Sequence, residues 1–183
     1  RERISNDIIK LNELHQIYSW IPNENQIRPK KNILKIKLEK LSIIKFQWRS
    51  LKDYIDHVVW DIPKDLDPNT NTFHVTSIPT EIYKLQLSEF PYNTVDSVHY
   101  VLWFADTRMI ESTSPTSPSS PSYSQYCEHD ELINQLLNEL LLKQFEHDRY
   151  SFAWYVNPKM SVPDYFHVQV FVMENWGIAE YRN

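Results

Sequence analysis

The sequence Pro163-Asp-Tyr-Phe-His-Val-Gln-Val-Phe-Val-Met-Glu174 alternates in character along its length. One set of side chains points to one side and the next set to the other: Tyr165, His167, Gln169 and Phe171 against Phe166, Val168, Val170 and Val172. A period of two among β-branched and aromatic residues predicts a strand over 163–174 with one buried apolar face. The other face carries an imidazole between a phenol and an amide. Such a face fits either a chemical site or an ordinary solvent-facing surface.

Further strands are predicted on the amino-terminal side of this segment. Residues 81–89 and 95–105 both alternate, and the short link Phe90–Asn93 between them favours an antiparallel pair. The second of these strands is apolar on both faces, which indicates a central position. Residues 151–156 form the remaining predicted strand.

Helical spacing of apolar residues predicts helices over about 6–18, 34–48 and 51–59, and a further one beginning at His129. Residues 61–72 are rich in Pro, Asp and Asn, which predicts a loop. The order is helices, two strands, a helix and two strands. This order predicts an α+β fold with a small, mainly antiparallel sheet and flanking helices.

The 183 residues, 42% of them hydrophobic, fit a single domain over 1–183. Within it, the Ser/Pro-rich segment 110–126 is expected to be an exposed insertion. The net charge of −5 argues against nucleic acid as a partner, and the basic run 28–40 is interpreted as a solvated face or a loop edge.

The single cysteine, Cys127, favours a reducing compartment, and we expect a cytoplasmic protein. No apolar run approaches the roughly 20 residues that a membrane span needs. The chain begins at Arg1 rather than Met, which we interpret as a trimmed or partial sequence. The only glycine, Gly177, excludes the glycine-rich phosphate loops. No cofactor is expected, and no pair of His or Cys has the tight spacing of a metal site.

Four short motifs stand in order: Glu89-Phe-Pro-Tyr92, Val98-His-Tyr-Val-Leu-Trp103, Trp154-Tyr-Val-Asn-Pro158 with Ser161-Val162, and Tyr165-Phe-His-Val168. Together they resemble the fungal N-acetylglucosamine-induced protein 1 family, a domain family of unknown function, over about residues 34–174. The chain departs from that pattern at Ser88-Glu89, at Asp106 and at Tyr165, where the family has Asn-Asp, Lys and His.

The same order of elements is similar to the histidine-triad nucleotide hydrolases and transferases. In the related galactose-1-phosphate uridylyltransferases the late strand reads His, x, nucleophilic His, x, Gln. That spacing matches Tyr165, His167 and Gln169 here. The resemblance therefore implies a histidine-triad-like fold, with His167 as the nucleophile and Gln169 as a phosphate contact.

Three functions remain open from the sequence. The first is an enzyme that binds, and hydrolyses or transfers, a nucleotide or nucleotide-sugar phosphate. The second is a non-catalytic module for a small phosphorylated metabolite, and the third is a protein-interaction module that uses the Ser/Pro segment. The catalytic candidate is His167, and the ligand-binding candidates are His99, Gln169, Tyr165, Trp103, Tyr92 and Asn157. Each also has a structural interpretation: packing for the histidines and tryptophans, a turn for Asn157. Chemistry at His167 requires that its ring face an open hollow.

Overall fold

The computed structural model describes residues 9–10, 29–92, 95–105, 123–156 and 162–174. In chain order they contain β1 (Ile9–Lys10), α1 (Lys31–Gln47), α2 (Leu51–Val58), β2 (Asp65–Asp67), β3 (Thr72–His74), β4 (Tyr83–Leu87), β5 (Val95–Asp96), β6 (Val98–Phe104), α3 (Tyr123–Phe145), β7 (Tyr150–Tyr155) and β8 (His167–Glu174).

The central sheet has four strands in the order β4-β6-β8-β7, and every neighbouring pair is antiparallel. The predicted pairing of 81–89 with 95–105 is confirmed, and β6 is an interior strand as its apolar character indicated. The α+β class with a small, mainly antiparallel sheet is therefore correct. The prediction of a single domain over the whole chain stays a prediction.

The strand predicted over 163–174 begins later, at His167. Pro163 and Asp164 form a turn before it, because proline has a fixed φ and no N–H to give to a sheet. From His167 to Val172 every residue is buried, so neither face of β8 meets solvent there.

One face of the sheet packs against α3. The buried residues of this apolar face come from three strands and one helix: Tyr100, Leu102, Phe104, Ile133, Leu136, Leu137, Leu141, Trp154, Val168, Val170 and Val172. The helix presents leucines at spacings of three and four residues, which puts them on one stripe.

The opposite face lies towards α1, α2 and the β2–β3 hairpin. Its buried cluster comprises Ile44, Trp48, Tyr54, Ile55, Val59, Trp60, Ile62, Val75, Val162 and Tyr165, with Leu41 and Trp103 packed against it. The Ser50 side chain caps α2 by accepting a hydrogen bond from the Asp53 N–H at 3.1 Å. The Asp53 carboxylate also accepts from the Val75 N–H at 2.9 Å, which ties the helix to the chain after the hairpin.

Three expectations are corrected. The predicted loop 61–72 contains β2 and the first residue of β3, which pair with each other. Within the helix predicted over 6–18, the described residues Ile9–Lys10 form a strand that pairs in parallel with β5. The last four residues of the expected insertion, 123–126, belong to α3. Pro121 is the last proline before α3, so no proline interrupts the helix from Tyr123 onwards.

Candidate functional site

A row of buried polar side chains crosses the two interior strands on the face towards α1. His99 stands on β6, whereas His167 and Gln169 stand on β8. Their exposed fractions are 4%, 5% and 7%. In the register of the pair, Trp103 lies opposite His167 and Val101 opposite Gln169. The sequence-predicted candidates on these strands are therefore brought together, and we call His99, His167 and Gln169 the polar row.

His99 is held by hydrogen bonds at both ring nitrogens. The Tyr92 backbone N–H donates to Nδ1 at 3.2 Å. Nδ1 therefore carries no proton, and Nε2–H donates to Oε1 of Gln169 at 2.7 Å. This bond fixes the Gln169 amide with its oxygen towards His99. Among the residues that the structure describes, its NH₂ group has no hydrogen-bond partner and is available as a donor.

The His99 ring is neutral at physiological pH. Burial lowers its pKa to about 4, the Gln169 contact acts in the opposite direction, and the positive charge of Lys37 lowers the pKa further. A protonated ring would also point Nδ1–H at the Tyr92 N–H. Geometry and desolvation thus favour the same protonation state.

His167 has the opposite tautomer. Its Nδ1 lies 2.9 Å from the Tyr165 carbonyl oxygen, which can only accept, so Nδ1 carries the proton. Burial lowers the pKa of this imidazole, the Tyr165 carbonyl raises it, and the Lys37 charge lowers it. In the neutral ring Nε2 then keeps its lone pair, and no described residue makes a hydrogen bond to it. This is the state in which an imidazole is a nucleophile.

Tyr165 serves the site through its backbone rather than its side chain. At the position of the family's histidine, Tyr165 offers a hydroxyl that could replace it as a donor but not as a cation. Its hydroxyl instead donates to the buried carboxylate of Asp56 on α2, which also accepts from Lys52 Nζ at 2.6 Å. The hydroxyl is therefore already engaged, and the Tyr165 carbonyl is the group that orients His167.

Aromatic rings surround the two imidazoles. Trp103 stacks on His167 with ring centroids 4.5 Å apart. His99 lies between Phe171, stacked at 4.6 Å, and the edge of Tyr92 at 4.7 Å. These contacts enclose most of both rings, and His167 is 5% exposed, so among the described residues its imidazole does not face the open hollow expected for it. Asn157 lies outside the described residues, as do residues 106–122, which include most of the Ser/Pro-rich segment 110–126.

Lys37 is a site residue that the sequence interpretation missed. The basic run 28–40 was interpreted as a solvated face or a loop edge, but Lys31–Lys40 lie in α1. The Lys35 side chain is 79% exposed and fits that interpretation, whereas Lys37 is half-buried and its charge reaches both imidazoles. The signal was available: Lys37 lies on the stripe of Ile33, Leu41 and Ile44 at helical spacing.

In the described ranges, no group of three or more His, Cys, Asp or Glu side chains could hold a metal ion. No helix in those ranges is both long and apolar enough to cross a bilayer.

Comparison with known proteins gives the fold but not the activity. No protein-family model and no curated protein matches this sequence. The crystal structure of a protein named HTC1 is similar, with a TM-score of 0.54 over 91% of this chain and 85% of that chain. The two sequences are 20% identical, so the likeness shows a shared fold alone.

Proposed function

We propose that this protein binds a nucleotide or nucleotide-sugar phosphate at the polar row and hydrolyses or transfers it through His167. The observation that carries the proposal is the tautomer of His167. The Tyr165 carbonyl holds the Nδ1 proton, and Nε2 is left as a neutral nitrogen lone pair. The resemblance to the N-acetylglucosamine-induced protein 1 family and to the histidine-triad enzymes supports it and stays a prediction.

The reaction follows from that arrangement. Nε2 attacks the α-phosphorus, an N–P bond forms, and the P–O bond to the leaving group breaks with its electron pair on the leaving oxygen. The ring becomes positively charged in the adduct, and the Nδ1–H···O=C bond to Tyr165 stabilises that charge. Water or an acceptor hydroxyl then attacks phosphorus: an O–P bond forms, the N–P bond breaks with its electron pair returning to Nε2, and the attacking oxygen gives up its proton to water.

Gln169 supplies a donor for the phosphate. It stands two residues from His167 on the same face of β8, roughly 7 Å along the strand. The Gln169 amide oxygen already accepts a hydrogen bond from His99 Nε2–H. The NH₂ group of Gln169 is therefore the end that can donate to a ligand. A donor fixed before the ligand arrives stabilises developing charge on a phosphoryl oxygen without further reorganisation.

The enclosure of the rings sets a condition on this proposal. His167 is 5% exposed, so its neighbours cover most of the ring that a ligand would have to reach. Closure over a bound phosphate would exclude water and strengthen the polar contacts.

The test is formation of a covalent adduct. The full chain is incubated with a panel of nucleoside diphosphate sugars and examined by intact-mass spectrometry and ³¹P NMR. We expect a nucleotidyl adduct on the wild-type protein that is absent in His167→Ala. His74→Ala, a half-buried histidine on β3 outside the polar row, is the matched control and should keep the adduct. Neither turnover nor an adduct with any member of the panel would overturn the proposal.

The same enclosure favours a second candidate, a binding module without chemistry. Here the Gln169 amide, oriented by His99, holds a phosphorylated metabolite, and the covered His167 contributes packing on Trp103. A ligand that binds only the folded state stabilises it, by about 2.7 kcal/mol when the free ligand concentration is a hundred times Kd. The melting temperature rises as a result. A thermal shift with a nucleoside diphosphate sugar, and no adduct or turnover, would select this function.

A further inference from the structure

Helix α1 is anchored over the polar row at two points. At its amino-terminal end, the Lys30 N–H donates to the Tyr92 carbonyl at 3.2 Å. The N–H of the same Tyr92 holds His99, so this end of the helix lies beside His99. Towards its other end, Leu41 and Ile44 pack in the cluster that Trp103 joins, and Trp103 stacks on His167.

Lys37 lies midway between these anchors. It is seven residues from Lys30 and seven from Ile44, which is about two helical turns or 10.5 Å in either direction. Seven residues return to nearly the same side of a helix, so Lys37 is directed towards the sheet as Ile44 is. Its half-buried side chain agrees with that direction.

A lysine is an unusual residue on the side of a helix that packs against the rest of the protein. Ile33, Leu41 and Ile44 on the same stripe are apolar, and a charged group among them needs a compensating contact. The electrostatic effect of Lys37 on both imidazoles agrees with its placement between them.

We propose that Lys37 is a ligand-binding residue that reaches the polar row from α1 and contacts the phosphoryl oxygens of the bound molecule. This inference rests on the proposed function and narrows it to an anionic phosphate ligand, held between Lys37 on one layer and the Gln169 amide on the other. Lys37 has contacts of its own in the structure, and the ligand adds to them. The field of Lys37 acts on both imidazoles, and a phosphate carries the opposite charge.

Inorganic pyrophosphate is the probe, because it offers phosphoryl oxygens without a base or a sugar. Isothermal titration of the full chain is carried out on the wild type, Lys37→Met, Lys37→Arg and Lys35→Met. We expect Lys37→Met to weaken pyrophosphate binding about ten- to a hundredfold, the usual range for a charge-assisted hydrogen bond. Lys35→Met is the matched control, since it removes the same charge from the exposed side of the same helix. Lys35→Met and Lys37→Arg should bind within a few-fold of the wild type.

Equal affinity of Lys37→Met and the wild type overturns the inference, as does a wild type that does not bind pyrophosphate. If Lys37→Met does not fold, Lys37→Gln and Lys37→Arg replace it, and a loss confined to Lys37→Gln supports the proposal. Histidine titration by NMR gives an independent readout, because loss of the Lys37 charge raises the pKa of both imidazoles. Unchanged titration of both rings counts against the placement of Lys37.

The two proposals fail in different ways. If pyrophosphate binding depends on Lys37 but no nucleoside diphosphate sugar forms an adduct on His167, the anion site is supported and the proposed catalysis is rejected. If the His167 adduct forms equally well in Lys37→Met, the proposed role of Lys37 is rejected and the proposed catalysis is supported.

Discussion

The two faces of the central sheet are both buried, but they are buried by different chemistry. Under α3, β8 presents Val168, Val170 and Val172 to the leucines of the helix. Towards α1, the same strand presents His167 and Gln169, which are enclosed almost as completely. On the apolar face burial itself is the gain, whereas on the polar face each enclosed group needs a hydrogen bond to offset its lost hydration.

This difference teaches that burial alone does not identify the role of a residue. Removing a side chain from the apolar face should lower the stability of the protein. The molecules that remain folded should bind ligand as before. Changes on the polar face should alter protonation and ligand contacts as well.

The largest effect is expected for Leu137→Ala on the apolar face. Leu137 is fully enclosed, so the substitution leaves a cavity and should lower the free energy of unfolding by about 2–5 kcal/mol. Urea denaturation measures it. Leu142→Ala, on the same helix but 50% exposed, is the control and should change stability by roughly 0.5 kcal/mol or less. A cost at Leu137 no greater than at Leu142 would contradict the assignment of this face as the core.

Acid should destabilise the protein through the polar face. The pKa of His99 is lowered in the fold from 6.5 to about 4, so the unfolded chain binds the proton more tightly. Stability is then complete above pH 6.5 and falls as the pH drops towards 4, by about 3 kcal/mol. The lowered pKa of His167 acts in the same direction.

Chemical denaturation between pH 7 and pH 4 tests this, with NMR titration of the imidazoles alongside. In His99→Asn the acid-dependent loss should shrink, since Asn can still accept from the Tyr92 N–H but does not titrate. A His99 ring that is already protonated at pH 5.5 would show that it is not buried as described.

A smaller effect is expected for Tyr165→Phe. The change removes the hydroxyl that donates to Asp56, and Asp56 keeps its contact with Lys52 at 2.6 Å. We expect a loss of about 1–2 kcal/mol of stability at neutral pH. Because the Tyr165 carbonyl is unchanged, the orientation of His167 and any adduct on it should be retained. Loss of the adduct in a folded Tyr165→Phe protein would place the phenol, rather than the backbone, at the site.

Alkaline pH gives a second readout of the same contact. Burial, followed by the neighbouring Asp56, raises the pKa of Tyr165 to about 12. The folded state thus holds the phenolic proton more tightly than the unfolded chain. Wild-type stability should fall between about pH 10 and pH 12, and the part due to Tyr165 should be missing in the Phe variant.

Local periodicity was enough to predict most of the fold. The alternation in β6 and β8 and the helical spacing in α1, α2 and α3 all correspond to real elements. The β2–β3 hairpin was missed because each strand has three residues, too few for a period to be recognised, and its turn is built from the Pro, Asp and Asn residues that indicate a loop. In that turn Asp67 accepts from the Asn69 N–H at 2.8 Å, and Asn71 adopts a φ of 55°.

The candidate site was predictable in part. Positions two apart on β8 share a face, so His167 and Gln169 were correctly grouped, and β6 brought His99 to them. The tautomers were not predictable, since they depend on backbone groups at Tyr92 and Tyr165 that only the folded chain brings near. Lys37 required knowledge of which side of α1 meets the sheet. The short strand Ile9–Lys10 likewise depends on a partner far along the chain.

The backbone of Tyr92 contacts two layers of the fold. Its N–H donates to the imidazole of His99 in the sheet, and its C=O accepts from the Lys30 N–H at the start of α1. The carbonyl of Tyr165 plays a comparable part for the other imidazole. Alanine scanning leaves main-chain atoms in place, so it will under-report both positions. Because these contacts are made by the backbone, a protein with other side chains at the two positions could set the same pair of histidine tautomers. A search for conserved residue types would not detect these backbone groups.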